Sequence, residues 1–339
     1  MTSAFAEPGF TVDPWDPGYG AALDHDAIGE QRMTTAQLDL GIEVPADDWR
    51  PIRPEPGAEA PGVLLIADGV RRIDARVWTH QPGGAAPLPG IAASSAAGLV
   101  RCVPGGGAPA TLADVTVSRS VFSASPDVSD IVTSAATYRG RRATGATMEQ
   151  LSLALQQHLA ELEVDVAIRY RAQAGSDDLL LVDGPLRGRT HLPRTVGYIK
   201  THHTAYLPPP QAAVVSALLP GQRTPVFLMG TSWSRHAWYV RLPVRSATPW
   251  AGVVRCEAGA ELYADEVIAL ADAVTRLLPP LAGVDYKDPR APQNLVPIGG
   301  LEKLLRHRLG DARLLYRALR HAATHAAAAA PYDRPSVPV

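Results

Sequence analysis

Residues 147–172 contain neither glycine nor proline, although the chain of 339 residues carries 29 glycines and 31 prolines. Apolar side chains recur there every three or four positions: Leu151, Leu155, Leu159, Leu162, Val166 and Tyr170. This spacing predicts one amphipathic helix of about seven turns, because residues three and four apart share a helix face. Thr147 and Gln150 form a capping box at its start, and Gly175 ends it.

Apolar segments on both sides of this helix predict strands. The segment VLLIAD, 63–68, is continuously apolar, breaks at Gly69 and resumes as the alternating segment IDARVWTH, 73–80, a pattern that predicts a hairpin. Six further strands are expected, over 90–103, 112–123, 177–184, 224–229, 236–244 and 251–257. A helix is expected at about 262–278 and a final basic helix at about 300–325.

The distribution of these elements predicts the domain organisation. Residues 1–60 are rich in proline, glycine and acids, and we expect a largely irregular arm with one short helix around 27–39. Residues 61–325 form the domain proper, a mixed α/β fold because strands precede and follow the long helix. Residues 326–339 end in alanine and proline, and we expect a disordered tail.

Composition excludes several classes of protein. Apolar residues make up 46%, enough for a sizeable core, and no run of eighteen apolar residues predicts a membrane span. The N-terminus lacks the pattern of a signal peptide, and the two cysteines, Cys102 and Cys256, are typical of buried thiols in a reducing compartment. We therefore expect a cytoplasmic protein with no membrane partner.

The net charge of −2 neither requires nor excludes nucleic acid, but the basic residues are clustered. Residues 301–325 contain six basic residues against two acidic ones. A second cluster, Arg187, Arg189, Arg194 and Lys200, contains no acid. Taken alone, both clusters are typical of solvated faces.

Two strands end in the same dipeptide, at Asp68-Gly69 and at Asp183-Gly184. If the strands are neighbours, the two carboxylates converge, and a divalent cation is the usual remedy for their repulsion. The alternative is that Asp-Gly is a common turn after a strand. The long helix adds Glu161, Glu163 and Asp165, of which the last two border its apolar face and can complete a three-acid metal site.

Five segments carry a resemblance to a known family: LLIADGVRR, LLLVDGPLRGR, GYIKTHHTAYL, VVRCEA and DPRAPQNLVPIGGLEKLLRHRLGD. Their order and spacing, from about residue 60 to residue 320, resemble the NurA nucleases, which work beside the HerA-type hexameric DNA translocase. The resemblance implies an RNase H-like mixed sheet flanked by helices, and a homodimer. It also implies a manganese-dependent nuclease, with magnesium as the alternative ion, that acts on DNA ends and single strands in end processing, repair or anti-phage defence.

The resemblance also implies roles for particular residues. The proposed catalytic set is Asp68, Glu163, Asp183, Glu302 and Lys200, in which the four acids are metal ligands and Asp165 is the alternate for Glu163. Glu302 stands where the family usually has a histidine, and His307 would project from a different face of the helix. The strand residue Glu257 accompanies Arg255 in the family's Arg-x-Glu pattern. The expected nucleic-acid contacts are Arg71, Arg187, Tyr239, Arg255, Arg306, Arg313 and Arg317.

Two rival interpretations remain open. The glutamate in the histidine's place favours a catalytically inactive scaffold that keeps the fold, the DNA surface and the translocase-docking surface. The acids alone also suit a metal phosphohydrolase of small molecules, which would have no use for the C-terminal basic helix. No GxxxxGK[ST] motif occurs, so ATP hydrolysis by a P-loop is excluded.

Overall fold

A computed structural model gives the fold of most of the chain. The described residues are 32–33, 36–55, 57, 61–80, 86–105, 107, 109–174, 178–186, 188–189, 191–202, 204–244, 249–284 and 290–329.

Within these residues the chain forms thirteen strands and five α-helices. The strands are β1 (Arg32–Met33), β2 (Gln37–Asp39), β3 (Val63–Thr79), β4 (Leu88–Cys102), β5 (Thr111–Ser123), β6 (Ile131–Val132), β7 (Thr137–Arg142), β8 (Asp178–Asp183), β9 (Thr195–Ile199), β10 (Thr204–Ala205), β11 (Phe227–Gly230), β12 (Ser234–Arg241) and β13 (Val253–Gly259). The helices are α1 (Met148–Ala174), α2 (Pro209–Ala217), α3 (Ala264–Leu277), α4 (Val296–Arg308) and α5 (Ala312–Ala329).

The chain divides into two compact units. The described residues of the first unit come from Met1–Ala67, Val100–Thr111 and Ala174–Gly300, and those of the second from Asp68–Leu99, Leu112–Gln173 and Leu301–Val339. Strand β3 and helix α4 each run from one unit into the other, because the boundaries fall after Ala67 and after Gly300.

The first unit contains a mixed sheet in the order β2–β11–β12–β13–β9–β8–β3. Strand β8 pairs in parallel with β3 and with β9, and the other neighbours are antiparallel. Helix α3 contacts β12 and buries one face of its own. A core cluster around Trp49, Phe227, Tyr239 and Val253 ties the segment before β3 to this sheet.

The second unit continues along β3 in the order β3–β4–β5–β7–β6. Successive residues of β4 point to opposite faces of the sheet. Ile91 and Ala93 pack against α1, whereas Ala92 packs with Leu319 of α5. Both faces of β4 are therefore covered, which explains why the residues in the middle of the strand are all apolar or small. In both units a mixed sheet is flanked by helices, so the mixed α/β class is confirmed.

The long helix has the predicted position and start. The N–H of Gln150 donates to Thr147 Oγ1 over 3.2 Å, and the N–H of Thr147 donates to Gln150 Oε1 over 3.2 Å, which confirms the capping box. The predicted apolar face is buried from Leu151 to Val166. Among the described helices, none is both long and apolar enough to cross a membrane.

The hairpin predicted at Gly69 is wrong, because β3 is one continuous strand over Val63–Thr79. A Cβ at Gly69 would lie 2.5 Å from Glu163 Oε1 and 2.7 Å from Leu159 Cδ1. The glycine therefore permits α1 to approach the strand closely and does not turn the chain.

The single basic helix predicted at 300–325 is also wrong. Helices α4 and α5 are separated at Gly310, whose φ of 78° favours glycine. Asp311 Oδ1 accepts the N–H of Leu314 over 2.8 Å and so caps α5. The helix predicted at 27–39 lies partly outside the described residues, and its described part includes β1 and β2.

Two glycine substitutions should change stability in opposite directions. We expect Gly69→Ala to lower the free energy of unfolding by about 1–3 kcal/mol, because the buried Leu159 and Glu163 must move. Gly300→Ala, in α4, should raise it by about 0.5–1 kcal/mol, because a Cβ there meets nothing within 4 Å and alanine favours helix. Urea unfolding of both variants measures the difference, and a Gly69→Ala variant as stable as Gly300→Ala would contradict this packing.

Candidate metal centre

Asp183 is the last residue of β8, whereas Asp68 lies inside β3, directly after the residues that pair with β8. In the first unit Ala67 of β3 is the register partner of Val182 of β8. Asp68 is the next residue of β3, and Asp183 is the last residue of β8. The expectation that both aspartates end their strands is therefore wrong for Asp68, because β3 continues to Thr79. Strands β3 and β8 are neighbours, which is the condition on which the predicted convergence of the two aspartates depends.

Asp183 is held by a lysine inside the first unit. Lys200 Nζ donates to Asp183 Oδ2 over 2.6 Å and to Asn294 Oδ1 over 3.0 Å. Burial raises the pKa of Tyr198, and its hydroxyl donates to the carbonyl of Gln293 over 2.6 Å. That bond anchors the segment carrying Asn294. Sequence reasoning missed Asn294, because a single asparagine between strand and helix has no distinguishing pattern.

Asp68 and Glu302 come together in the second unit. Each offers a carboxylate oxygen, and these two atoms lie within 4.8 Å of each other although both residues are buried. Glu302 lies on α4, two residues after Gly300. Its neighbour Leu301 approaches Gly98 so closely that a Cβ there would lie 2.8 Å from Leu301 Cδ1. Gly98 therefore allows α4 to pack on β4 and brings Glu302 toward the sheet.

The end of α4 is fixed by two arginines. Arg72 donates to the carbonyl of Gly310 over 2.9 Å, and Arg119 donates to the carbonyl of Leu309 over 3.1 Å. Arg72 is in turn paired with the buried Asp74 over 2.8 Å. These bonds satisfy carbonyls after the last turn of α4 and hold the helix that carries Glu302. His307 of the same helix is exposed, in agreement with its predicted different face.

The acids of α1 differ in exposure. Glu163 is buried beside Gly69, whereas Glu161 and Asp165 are exposed. Burial lowers the pKa of Arg71, and the nearby Glu163 carboxylate opposes that shift. Glu163 therefore faces β3 one residue beyond Asp68, and the preference for it over Asp165 agrees with its burial. Its role as a metal ligand stays a prediction.

Glu257 is the centre of a buried charge cluster in the first unit. Its Oε1 accepts from Arg235 Nε over 2.9 Å and from Arg255 over 3.0 Å. Its Oε2 accepts the N–H of Leu186 over 3.2 Å, three residues after Asp183. The side chain of Glu257 is fully buried. The cluster therefore fixes the turn that follows the aspartate, and Arg235 is a member that sequence reasoning missed.

The two expected nucleic-acid contacts on the strands are buried. Tyr239 is 2% exposed and Arg255 is 6% exposed. Burial raises the pKa of Tyr239, and its hydroxyl is hydrogen-bonded to Arg255. Tyr239 also stacks on Phe227 with ring centroids 6.2 Å apart. In this arrangement neither side chain presents a surface to DNA, and both support the sheet that carries Asp183.

The other expected contacts with DNA are distributed differently. Arg306, Arg313 and Arg317 are exposed on α4 and α5 of the second unit. Arg71 is half-buried beside Glu163. Arg187 lies outside the described residues. The three arginines of α4 and α5 are therefore available to a polyanion.

The chain matches no protein-family model, and no curated protein matches its sequence.

Proposed function

We propose that the protein is a metal-dependent DNA nuclease in which Asp68, Asp183 and Glu302 hold the metal. Asp68 and Glu302, both of the second unit, offer carboxylate oxygens that lie within 4.8 Å of each other, close enough to share one ion. This is the observation that carries the proposal. Glu163 is proposed as a further ligand.

The donor set suits a hard divalent cation. Carboxylates brought together in a buried place repel one another, and bound positive charge removes the penalty. Oxygen ligands favour Mn²⁺ or Mg²⁺ over ions that prefer nitrogen or sulfur. When bound, such ions make a water nucleophilic near neutral pH and stabilise charge on the leaving oxygen of a phosphodiester.

The chain's own residues supply positioning and charge. Lys200 holds Asp183 in place, and its ammonium group is suited to neutralise a phosphate that enters beside that aspartate. The fold proposed for this centre is RNase H-like. It is supported by the parallel pairing of β3 with β8 and by the position of α1 between β7 and β8 in the chain. A homodimer and a HerA-type translocase are the proposed partners.

Removing the charge of Arg306, Arg313 and Arg317 should weaken DNA binding. We expect the triple change to glutamine to reduce affinity for single-stranded DNA by at least about tenfold at low salt and to flatten the salt dependence, because exposed arginines act by releasing counterions from phosphates. Fluorescence anisotropy at several salt concentrations measures both effects. Unchanged affinity and salt dependence would contradict the role of these arginines in binding DNA, and a small-molecule phosphohydrolase would show no change in activity in this variant.

Cleavage of an end-labelled single strand tests the function itself. The full chain is incubated with Mn²⁺, with Mg²⁺ or with EDTA, first alone and then with the translocase and ATP. Cleavage that requires Mn²⁺ or Mg²⁺ is the expected result. No cleavage under all of these conditions would overturn the proposal.

An inactive scaffold is the second candidate, and one observation favours it. Lys200 pairs with Asp183 over 2.6 Å and so already neutralises one of the three acids. A scaffold needs no ion, whereas the nuclease must bind one. Manganese binding by the full chain therefore separates the two candidates.

A further inference from the structure

Two histidines lie side by side on the outer face of α5. His321 and His325 are both exposed and are four residues apart. Residues four apart in a helix lie one turn above each other on the same face. The sequence around them, RHAATHAAAA, is rich in alanine, which favours helix and leaves room beside the rings.

The ring nitrogens of the two histidines lie close together. The Nε2 atoms of His321 and His325 lie 3.1 Å apart, and the ring centroids lie 4.2 Å apart. An ion at about 2.1 Å from both nitrogens, the usual distance for imidazole ligands, would see them at an angle of about 95°. Adjacent ligands in square-planar and octahedral complexes are about 90° apart. The separation of the two nitrogens therefore suits two neighbouring ligands of one ion.

The chemistry of the pair differs from that of the acidic centre. Imidazole nitrogen suits Cu²⁺, Ni²⁺ and Zn²⁺, whereas carboxylates suit Mn²⁺ and Mg²⁺. The exposed positions leave the remaining coordination sites open to water or to a ligand from another molecule.

We propose that His321 and His325 form a bidentate site for a divalent transition-metal ion, and that Cu²⁺ binds there more tightly than Ni²⁺ or Zn²⁺. The site is independent of the proposed nuclease function, because its ligands and preferred ions are different. The same 3.1 Å separation also permits a direct hydrogen bond between one protonated and one unprotonated Nε2. A metal titration distinguishes the two arrangements.

Electron paramagnetic resonance of Cu²⁺ gives the most specific readout. One equivalent of Cu²⁺ is added to the full chain and to three variants, His321→Ala, His325→Ala and His307→Ala. His307 is an exposed histidine of α4 and serves as the matched control. We expect the wild-type chain and His307→Ala to show hyperfine coupling to two imidazole nitrogens, and each of the other variants to lose that signal.

Ni²⁺ titration by calorimetry gives the second readout. Either alanine change at the pair should weaken binding by at least tenfold, while far-UV circular dichroism stays unchanged because both side chains are exposed. A wild-type chain without a two-nitrogen signal would overturn the proposal and leave the hydrogen bond as the role of the pair. A two-nitrogen signal that survives both variants would place the ion elsewhere and overturn it as well.

Discussion

Asp68→Asn should abolish metal-dependent cleavage while the chain stays folded. Asparagine keeps the size of the side chain but removes the negative charge that the proposed ion requires. Loss of a group that only supports a metal ligand already costs about 10–100-fold in activity, so loss of a proposed ligand should cost at least about 100-fold. The initial rate of cleavage of a labelled single strand at saturating Mn²⁺ measures the loss.

Asp165→Asn is the matched control for this change. Asp165 is an aspartate of α1 that is exposed, two residues beyond the buried Glu163. We expect its cleavage rate to stay within about twofold of the wild type, as is usual for a surface substitution away from a site. If Asp68→Asn cleaved as fast as Asp165→Asn, Asp68 would have no part in the chemistry. The cleavage rate of Glu163→Gln, compared with that of Asp165→Asn, tests the proposed role of Glu163 in the same way.

Glu257→Ala should cause the largest loss of stability. Glu257 is fully buried and pairs with two arginines that are themselves buried, Arg235 and Arg255. Removing it leaves two uncompensated charges and an unpaired N–H at Leu186. Breaking a buried ion pair from one side costs about 3–5 kcal/mol, and this cluster has more than one such pair. Denaturant unfolding followed by circular dichroism measures the change in the free energy of unfolding.

The variant Glu261→Ala tests whether the burial of Glu257 causes the loss of stability. Glu261 is an exposed glutamate four residues further along the chain, and its removal should change stability by less than about 0.5 kcal/mol. A loss at Glu257 no larger than that at Glu261 would contradict the ion-pair cluster. Because Glu257 holds Leu186, three residues after Asp183, Glu257→Ala should also weaken cleavage. Glu257→Gln should be more stable than Glu257→Ala.

The sequence predicted the elements that depend on local pattern. Helix α1 was predicted because its apolar face repeats over seven turns and Thr147 and Gln150 form a capping box. Strands β3 and β8 are continuously apolar before their aspartates, and these apolar segments pair in parallel. The fold class followed from the order of these elements along the chain.

Other features depend on contacts between distant residues and could not be predicted in this way. In the sequence, Gly69 has the appearance of a strand break. In the structure, a glycine is needed there because Leu159 of α1 approaches the strand too closely for a side chain. Arg255 has the appearance of a DNA contact, yet Glu257 and Tyr239 hold it inside the sheet. Asn294 gains its role from Lys200, which is far away in sequence. In each case the partner, and not the residue type, determines the role.

Manganese binding by the full chain tests the central claim most directly. Mn²⁺ is titrated into the wild-type chain and into the triple variant Asp68→Asn, Asp183→Asn, Glu302→Gln, and the free ion is counted by electron paramagnetic resonance. These changes remove the charges but keep the sizes of the side chains. We expect the wild-type chain to bind Mn²⁺ and the variant to leave it free. Equal binding by both chains, or no binding by the wild type, would contradict the assignment of these acids as a metal centre.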